Sequence, residues 1–180
     1  MSNTIVAPRV REKVIYSAIF LLITTLLPQF CHLIGGSALA SQVSPMHLPV
    51  YLCAYFAGPI GAMVVGLVAP ILSSVLFGMP LFPAPMLPMC VELMTYGAVF
   101  GYLYSRLNAS GLKRVALTVI SLLVAMIAGR LMLLCANLIL VSGYDFAKLI
   151  SNAVVNQWIG LIIQMVSIPL CVLLADKLKK

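Results

Sequence analysis

Long apolar segments separated by short turns cover most of the chain and predict an all-α membrane protein. Most are about as long as the roughly 20 residues that an α-helix needs to cross a bilayer, but the second is shorter. We predict six transmembrane helices in a single integral membrane domain over residues 1–180. Their approximate bounds are 14–34, 45–57, 59–77, 87–104, 115–141 and 151–175. The pair Gly58-Pro59 predicts a very tight turn between the second and third helices.

The distribution of basic residues predicts how these helices cross the membrane. Only 8% of the residues are charged, against about 25% in soluble domains, yet the formal net charge is +7. Lys and Arg cluster at the N-terminus, around residues 106–114 and at the C-terminus. Because such clusters mark cytoplasmic loops, both termini are predicted to be cytoplasmic, and all basic residues except Lys148 and Arg130 then lie on that side or at that end. Membrane topology therefore accounts for the positive charge better than nucleic-acid binding does.

The N-terminal segment has an alternative interpretation as a secretory signal peptide, in which Ala38-Leu39-Ala40 would be the cleavage site. Its apolar run is long for a signal peptide, and Gln29 and His32 interrupt its end. We therefore favour a retained transmembrane helix. The orientation of the remaining helices would be the same in either case.

Several polar side chains lie inside the apolar segments and predict a binding site. An ionisable residue within a membrane helix is a functional hypothesis by default, because lipid does not tolerate it. Arg130 lies roughly 24 Å along its helix from Arg114, at 1.5 Å per residue, and so in the outer half of the membrane. The candidate substrate-binding residues are His47, Glu92, Tyr96, Arg130, Asn137, Asn152 and Asn156, with His32 as a weaker candidate. Their similar depth predicts a polar chamber that opens outward.

Each candidate also has a purely structural alternative. Glu92 and Arg130 could form an ion pair between two helices, and His47 could be an interfacial residue hydrogen-bonded to a loop. The asparagines of the last helix could join helices through hydrogen bonds. The sequence leaves these alternatives open.

The predicted outer loop after the third helix, GMPLFPAPMLP, is apolar and has four prolines after its glycine. Such a loop is stiff, and we interpret it as a lid over the chamber, with Met79, Pro80, Phe82 and Met86 as its lid residues. The alternative is a loop that packs at the membrane interface.

The sequence offers little support for catalysis, a metal site or a cofactor. It contains no GxxxxGK[ST], HExxH or GxSxG pattern. Its five cysteines include no CxxC pair, and we interpret them as small residues that face lipid or the core. We therefore predict neither an enzyme nor a cofactor-binding protein.

Two stretches together resemble the substrate-binding S component of an energy-coupling factor (ECF) vitamin transporter. They are SPMHLPVYLCAYFAGPIGAMVVGLVAPILSSVLFGMP and, after the proline-rich loop, MCVELMTYGAVFGYLY, and the Ala-Gly-Arg that ends at Arg130 adds to the likeness. The resemblance covers about residues 14–175. It implies six helices with both ends inside a bacterial cytoplasmic membrane, and capture of a scarce vitamin from outside. It also implies docking on a membrane T component that carries two ABC ATPases.

The resemblance leaves the docking surface and the substrate to be settled. Family members commonly dock through Ala-x-x-x-Ala on the first helix, whereas here Ala18 is followed by Leu22, so Ser17 and Ala18 would supply the small patch. A buried Arg130 suits an anion and suggests pantothenate. The alternative is a pyridoxine-type or hydroxymethylpyrimidine-type ring held by His47 and Tyr96, and it gains if Glu92 neutralises Arg130. A structural membrane subunit without a ligand is the alternative of another class.

Overall fold

A computed structural model describes residues 10–107, 111–140 and 158–178, and these residues are almost entirely helical. The helices are α1 (Val10–Val43), α2 (His47–Phe77), α3 (Met86–Ser105), α4 (Gly111–Leu140) and α5 (Trp158–Leu178). Each contains a stretch long and apolar enough to cross a bilayer. These stretches are Val10–Gly36, His47–Phe77, Met86–Ser105, Lys113–Leu140 and Trp158–Ala175. The described residues are thus those of an all-α membrane protein.

The backbone of α2 is broken at Gly58, where φ is 85° and ψ is −179°. Before this break, the ring of Tyr51 lies 5.2 Å from that of Tyr96, and the ring of Tyr55 lies 5.3 Å from that of Tyr104. Residue numbers therefore rise together along both helices, so this half of α2 runs in the same direction as α3.

After the break, the direction of α2 relative to α3 is reversed. Gly97 packs against the backbone of Ala62, and Gly66 packs against the backbone of Leu93. Residue numbers now fall along α3 as they rise along α2, so the chain turns back at Gly58. The reversal lies at the Gly-Pro pair for which the sequence predicts a turn, within an element that is otherwise helical throughout.

Glycines allow the part of α2 after Gly58 to approach α3 closely. A Cβ atom on Gly97 would lie 2.7 Å from the carbonyl carbon of Ala62, and one on Gly101 would lie 2.7 Å from the Cα atom of Pro59. Real Cβ atoms do not approach other atoms so closely, and the spacing Gly97/Gly101 is therefore a packing device between helices.

The structure differs from the sequence prediction at two loops. The outer loop predicted at residues 35–44 is mostly helical, because α1 is interrupted only at Gly36 (φ 67°, ψ −168°) and resumes as far as Val43. The loop after α2 ends earlier than predicted, since α3 begins at Met86. Met86 is 5% exposed and belongs to the core, not to the exposed part of the loop.

Candidate functional site

The carboxylate of Glu92 is the centre of a buried polar cluster between α2, α3 and α4. Its Oε1 atom accepts a 2.7 Å hydrogen bond from the hydroxyl of Tyr96 and lies 3.0 Å from Nη1 of Arg130. The Nε2 atom of His47 lies 3.6 Å from the same oxygen. Glu92 itself is 3% exposed, so this carboxylate is held by protein groups and not by bulk water. The structure thus brings together four of the predicted site residues.

The first turn of α2 fixes His47 in this cluster. Its Nδ1 atom lies 3.0 Å from the carbonyl oxygen of Ser44, and its backbone N–H donates to the same oxygen over 3.1 Å. A carbonyl oxygen can only accept, so Nδ1 carries a proton and donates this hydrogen bond. In the neutral ring Nε2 is then an acceptor, and a protonated ring would donate from Nε2 towards Glu92. The site therefore has a group that can accept or donate according to what it meets.

Tyr96 is positioned from both sides. It lies four residues after Glu92 on α3, and this spacing brings the two side chains together on one face of a helix. Its ring contacts Gly129 of α4 so closely that a Cβ atom at that position would clash with it. Gly129 precedes Arg130, so the same turn of α4 makes room for the tyrosine and supplies the cation.

Tyr51 is a member of the cluster that the sequence analysis missed. It is fully buried, and its ring lies 5.2 Å from the ring of Tyr96. Its hydroxyl has no hydrogen-bond partner among the described residues, and neither has Nε2 of His47. Buried polar atoms are rarely left unpaired, because each costs about 1–3 kcal/mol. Two such atoms in one buried cluster make it the candidate place for a ligand or water.

Within the described part of the chain, the structure brings none of the other predicted binding residues into a hydrogen bond or ion pair with Glu92. Asn137 is buried, but its amide nitrogen donates to the carbonyl oxygen of Leu133 in its own helix over 2.8 Å. Asn152, Asn156 and Lys148 lie outside the described residues. His32 is half-buried on α1. Of the asparagines, only Asn137 is therefore located, and its amide group is occupied locally.

The loop between α2 and α3 presents apolar side chains outward. Phe82 is 70% exposed and Met79 is 49% exposed, while Pro80 is half-buried. One anchor is the hydroxyl of Ser73, which donates a 2.7 Å hydrogen bond to the carbonyl oxygen of Met79. Both the lid and the interface interpretation are compatible with this arrangement.

The two small residues of α1 point in different directions. Ser17 faces α2, since a Cβ atom on Gly61 would lie 2.5 Å from its hydroxyl oxygen. Ala18 is exposed. Of these two small residues, Ala18 is therefore the one that is exposed.

Glu92 and Arg130 supply one negative and one positive charge to the cluster. Glu92 is the only acidic residue between positions 13 and 144, and Arg130 is the only basic residue between positions 115 and 147. Their opposite charges meet at 3.0 Å. The arrangement can bind polar groups by hydrogen bonding.

Comparison with known proteins assigns the chain to a family. A family model described as "ECF transporter, substrate-specific component" matches residues 12–174, which is most of the chain. Neither a curated protein nor a solved structure matches it significantly. The match includes all four members of the buried cluster that the sequence predicted, and the chain belongs to the substrate-specific component family of ECF transporters.

Proposed function

We propose that this chain captures a small water-soluble vitamin or vitamin precursor at the Glu92 cluster, as the substrate-binding subunit of an ECF-type importer. The observation that carries the proposal is a pair of buried atoms without a hydrogen-bond partner among the described residues. They are the hydroxyl of Tyr51 and Nε2 of His47, and both belong to the cluster around the paired carboxylate of Glu92. A cluster with a structural role alone would be expected to satisfy its own polar atoms. The family supports the role, and the geometry supports the place.

The proposal includes a six-helix topology with both termini cytoplasmic. The reversal at Gly58 supports it, because it divides the 31-residue α2 into two antiparallel arms. The basic residues at the turn between α3 and α4 support the cytoplasmic position of that turn. The cluster then lies nearer to the outer surface than this turn does.

The partners follow from the family and belong to the proposal. The chain would act without enzymatic activity of its own, in the cell membrane, on a T component with two ABC ATPases. The exposed Ala18 supports a contact through α1, and the inward-facing Ser17 limits the small patch to one residue at that level.

The charge balance bears on the choice of substrate. Pantothenate, the first candidate, would use Arg130 to bind its carboxylate. Glu92 already lies 3.0 Å from Arg130, and this ion pair favours the second candidate, a pyridoxine-type or hydroxymethylpyrimidine-type ring. Hydroxyl or amino groups on such a ring could donate to Nε2 of His47 and pair with the hydroxyl of Tyr51.

Titration calorimetry with a vitamin panel tests the proposal on the purified full chain. Calorimetry is preferable to tryptophan fluorescence, because Trp158 is 55% exposed and would respond mainly to detergent or lipid. The panel contains pantothenate, pyridoxine, pyridoxamine, hydroxymethylpyrimidine and niacin, together with pantothenol, which has an alcohol in place of the carboxylate. Saturable binding of one compound supports a substrate-binding subunit, and silence across the panel favours a structural subunit.

Pantothenol separates the two substrate candidates without altering the protein. If the ligand is recognised as an anion, pantothenate binds and pantothenol does not. If an uncharged ring is recognised, a pyridoxine-type or pyrimidine compound binds and both pantothenate and pantothenol are silent. His47→Leu should then abolish the binding, whereas Arg11→Gln at the exposed start of α1 should leave it unchanged.

A further inference from the structure

An apolar groove lies on the outside of the bundle, away from the Glu92 cluster. Its volume is about 450 Å³, and its walls come from α2, α3 and α4, including Met63, Ala98, Tyr102 and Val124. The lining is almost entirely hydrocarbon and aromatic carbon. In a membrane-spanning bundle such an apolar groove on the outer surface faces lipid.

One end of the groove carries a positive charge. The guanidinium carbon of Arg106 lies 5.0 Å from the ring centroid of Tyr102, which lines the groove and is 54% exposed. A cation over an aromatic face is held there by the electrostatic attraction of the ring. Arg106 is exposed and follows the last residue of α3, so it lies where a membrane-spanning helix ends and lipid headgroups begin.

The surroundings of this end are basic as well. Lys113 is exposed near the start of α4, and Arg114 is bound to the hydroxyl of Tyr104, with Nε at 2.9 Å. The sequence has no acidic residue between positions 93 and 144. The turn between α3 and α4 therefore offers a headgroup positive charge and has no carboxylate of its own.

A second apolar groove provides a contrast within the same molecule. It has a volume of about 210 Å³ and lies between α3 and α4, where Val91, Met132 and Ile139 are among its lining residues. No basic residue belongs to its lining. An acyl chain could lie in either groove, and among the described residues an arginine contacts a lining side chain only in the first.

We propose that the groove beside Tyr102 binds an anionic phospholipid, with an acyl chain along Ala98 and Met63 and the phosphate on Arg106. The guanidinium group suits this role, because its fork of N–H donors matches a phosphate group in two parallel hydrogen bonds. Basic pockets between membrane helices bind anionic headgroups for the same reason. The site is separate from vitamin capture and does not depend on it.

Native mass spectrometry of the detergent-purified full chain tests this proposal. The protein is titrated with phosphatidylglycerol and, separately, with phosphatidylcholine of identical acyl chains. One basic residue near a headgroup is worth about a fivefold change in affinity. We expect the wild type to prefer phosphatidylglycerol by about that factor, and Arg106→Gln to bring its affinity down to that for phosphatidylcholine.

Two further variants distinguish binding at this site from non-specific electrostatic attraction between the lipid and the protein. Arg11→Gln removes an equally exposed charge from α1 and should change the preference less than twofold. Ala98→Leu fills the groove and should weaken the binding of both lipids. Equal affinities in the wild type, equal effects of the two arginine variants, or lipid binding that Ala98→Leu leaves unchanged would overturn the proposal. A dimer that Ala98→Leu dissociates would also overturn it, since the groove would then hold a second copy of the chain.

Discussion

Replacing Glu92 by Gln should destabilise the protein more than most single substitutions. The change preserves the size of the side chain and removes its charge. Arg130 would remain in the cluster without the carboxylate that lies 3.0 Å from it, and Tyr96 would lose a charged acceptor at 2.7 Å. The loss is therefore one of charge compensation and not of packing.

The size of the effect can be estimated from burial. Breaking a buried ion pair by removing one partner costs about 3–5 kcal/mol. The side chain of Glu92 is 4% exposed, but that of Arg130 is 15% exposed and keeps some access to solvent. The lower end of the range, about 3 kcal/mol, is thus appropriate. In proteins of this size that corresponds to a fall in the melting temperature of about 6–12 °C.

A double-mutant cycle isolates the interaction between the two charges. Arg130→Gln alone leaves Glu92 uncompensated and should also lower the melting temperature. The double variant has two amides that can hydrogen-bond to each other and no net charge. We expect its loss of stability to be at least about 1 kcal/mol smaller than the sum of the two single losses.

Thermal unfolding of the ligand-free protein in detergent, followed by circular dichroism, gives the four melting temperatures. Glu12→Gln is the matched control, because Glu12 lies exposed in the first turn of α1 and the chemical change is identical. This substitution should change the free energy of unfolding by less than about 0.5 kcal/mol. A melting temperature of Glu92→Gln close to that of the control, or single losses that simply add, would refute the assignment of a stabilising ion pair.

Three other substitutions have definite expected outcomes. Tyr51→Phe removes a buried hydroxyl that has no hydrogen-bond partner among the described residues. The stability of the ligand-free protein should therefore be unchanged or higher, while the affinity for the vitamin measured by calorimetry falls about tenfold. A large drop in melting temperature would contradict this. Gly97→Ala would place a Cβ atom 2.7 Å from the Ala62 carbonyl carbon and should cost about 1–3 kcal/mol in thermal unfolding, a loss that a tolerant interface would not show. Gly58→Ala should lower the free energy of unfolding by a similar amount, because φ 85° with ψ −179° is a conformation that essentially only glycine adopts. A variant as stable as the wild type would argue against this conformation at residue 58.

Much of the fold was accessible from the sequence, because apolar length and chain breakers act locally. The Gly58-Pro59 pair could be recognised as a turn since proline cannot donate the backbone hydrogen bond that would continue the helix. The first helix was predicted to end near residue 34, but α1 is only interrupted at Gly36 and continues to Val43. Whether helix resumes after a glycine depends on what the next segment packs against, and Val43 is held near Gly160 of α5. Contacts between distant segments do not appear in a local pattern.

The Glu92 cluster could be predicted from the sequence for a different reason. His47, Glu92 and Arg130 are conspicuous because ionisable groups are rare in apolar segments. Tyr51 gave no such signal, since tyrosine is common both in helix cores and at membrane interfaces. Its importance follows only from full burial and an unpaired hydroxyl, and both depend on three helices packing together.

The reversal of α2 at Gly58 allows the depth of the Glu92 cluster in the membrane to be estimated. This depth bears on the charge of the ligand. His47 lies eleven residues before Gly58, or roughly 16 Å along a helix, which is about half of a bilayer's hydrocarbon thickness of roughly 30 Å. The cluster is therefore away from the turn side of the bundle, yet still at a depth where an uncompensated charge is costly. An anionic ligand would have to displace Glu92 from Arg130, leaving the carboxylate unpaired, or add a second negative charge beside it. A neutral ring avoids both costs and can still pair with His47 and Tyr51, which is why the comparison of pantothenate with the uncharged ring compounds discriminates between the two substrates.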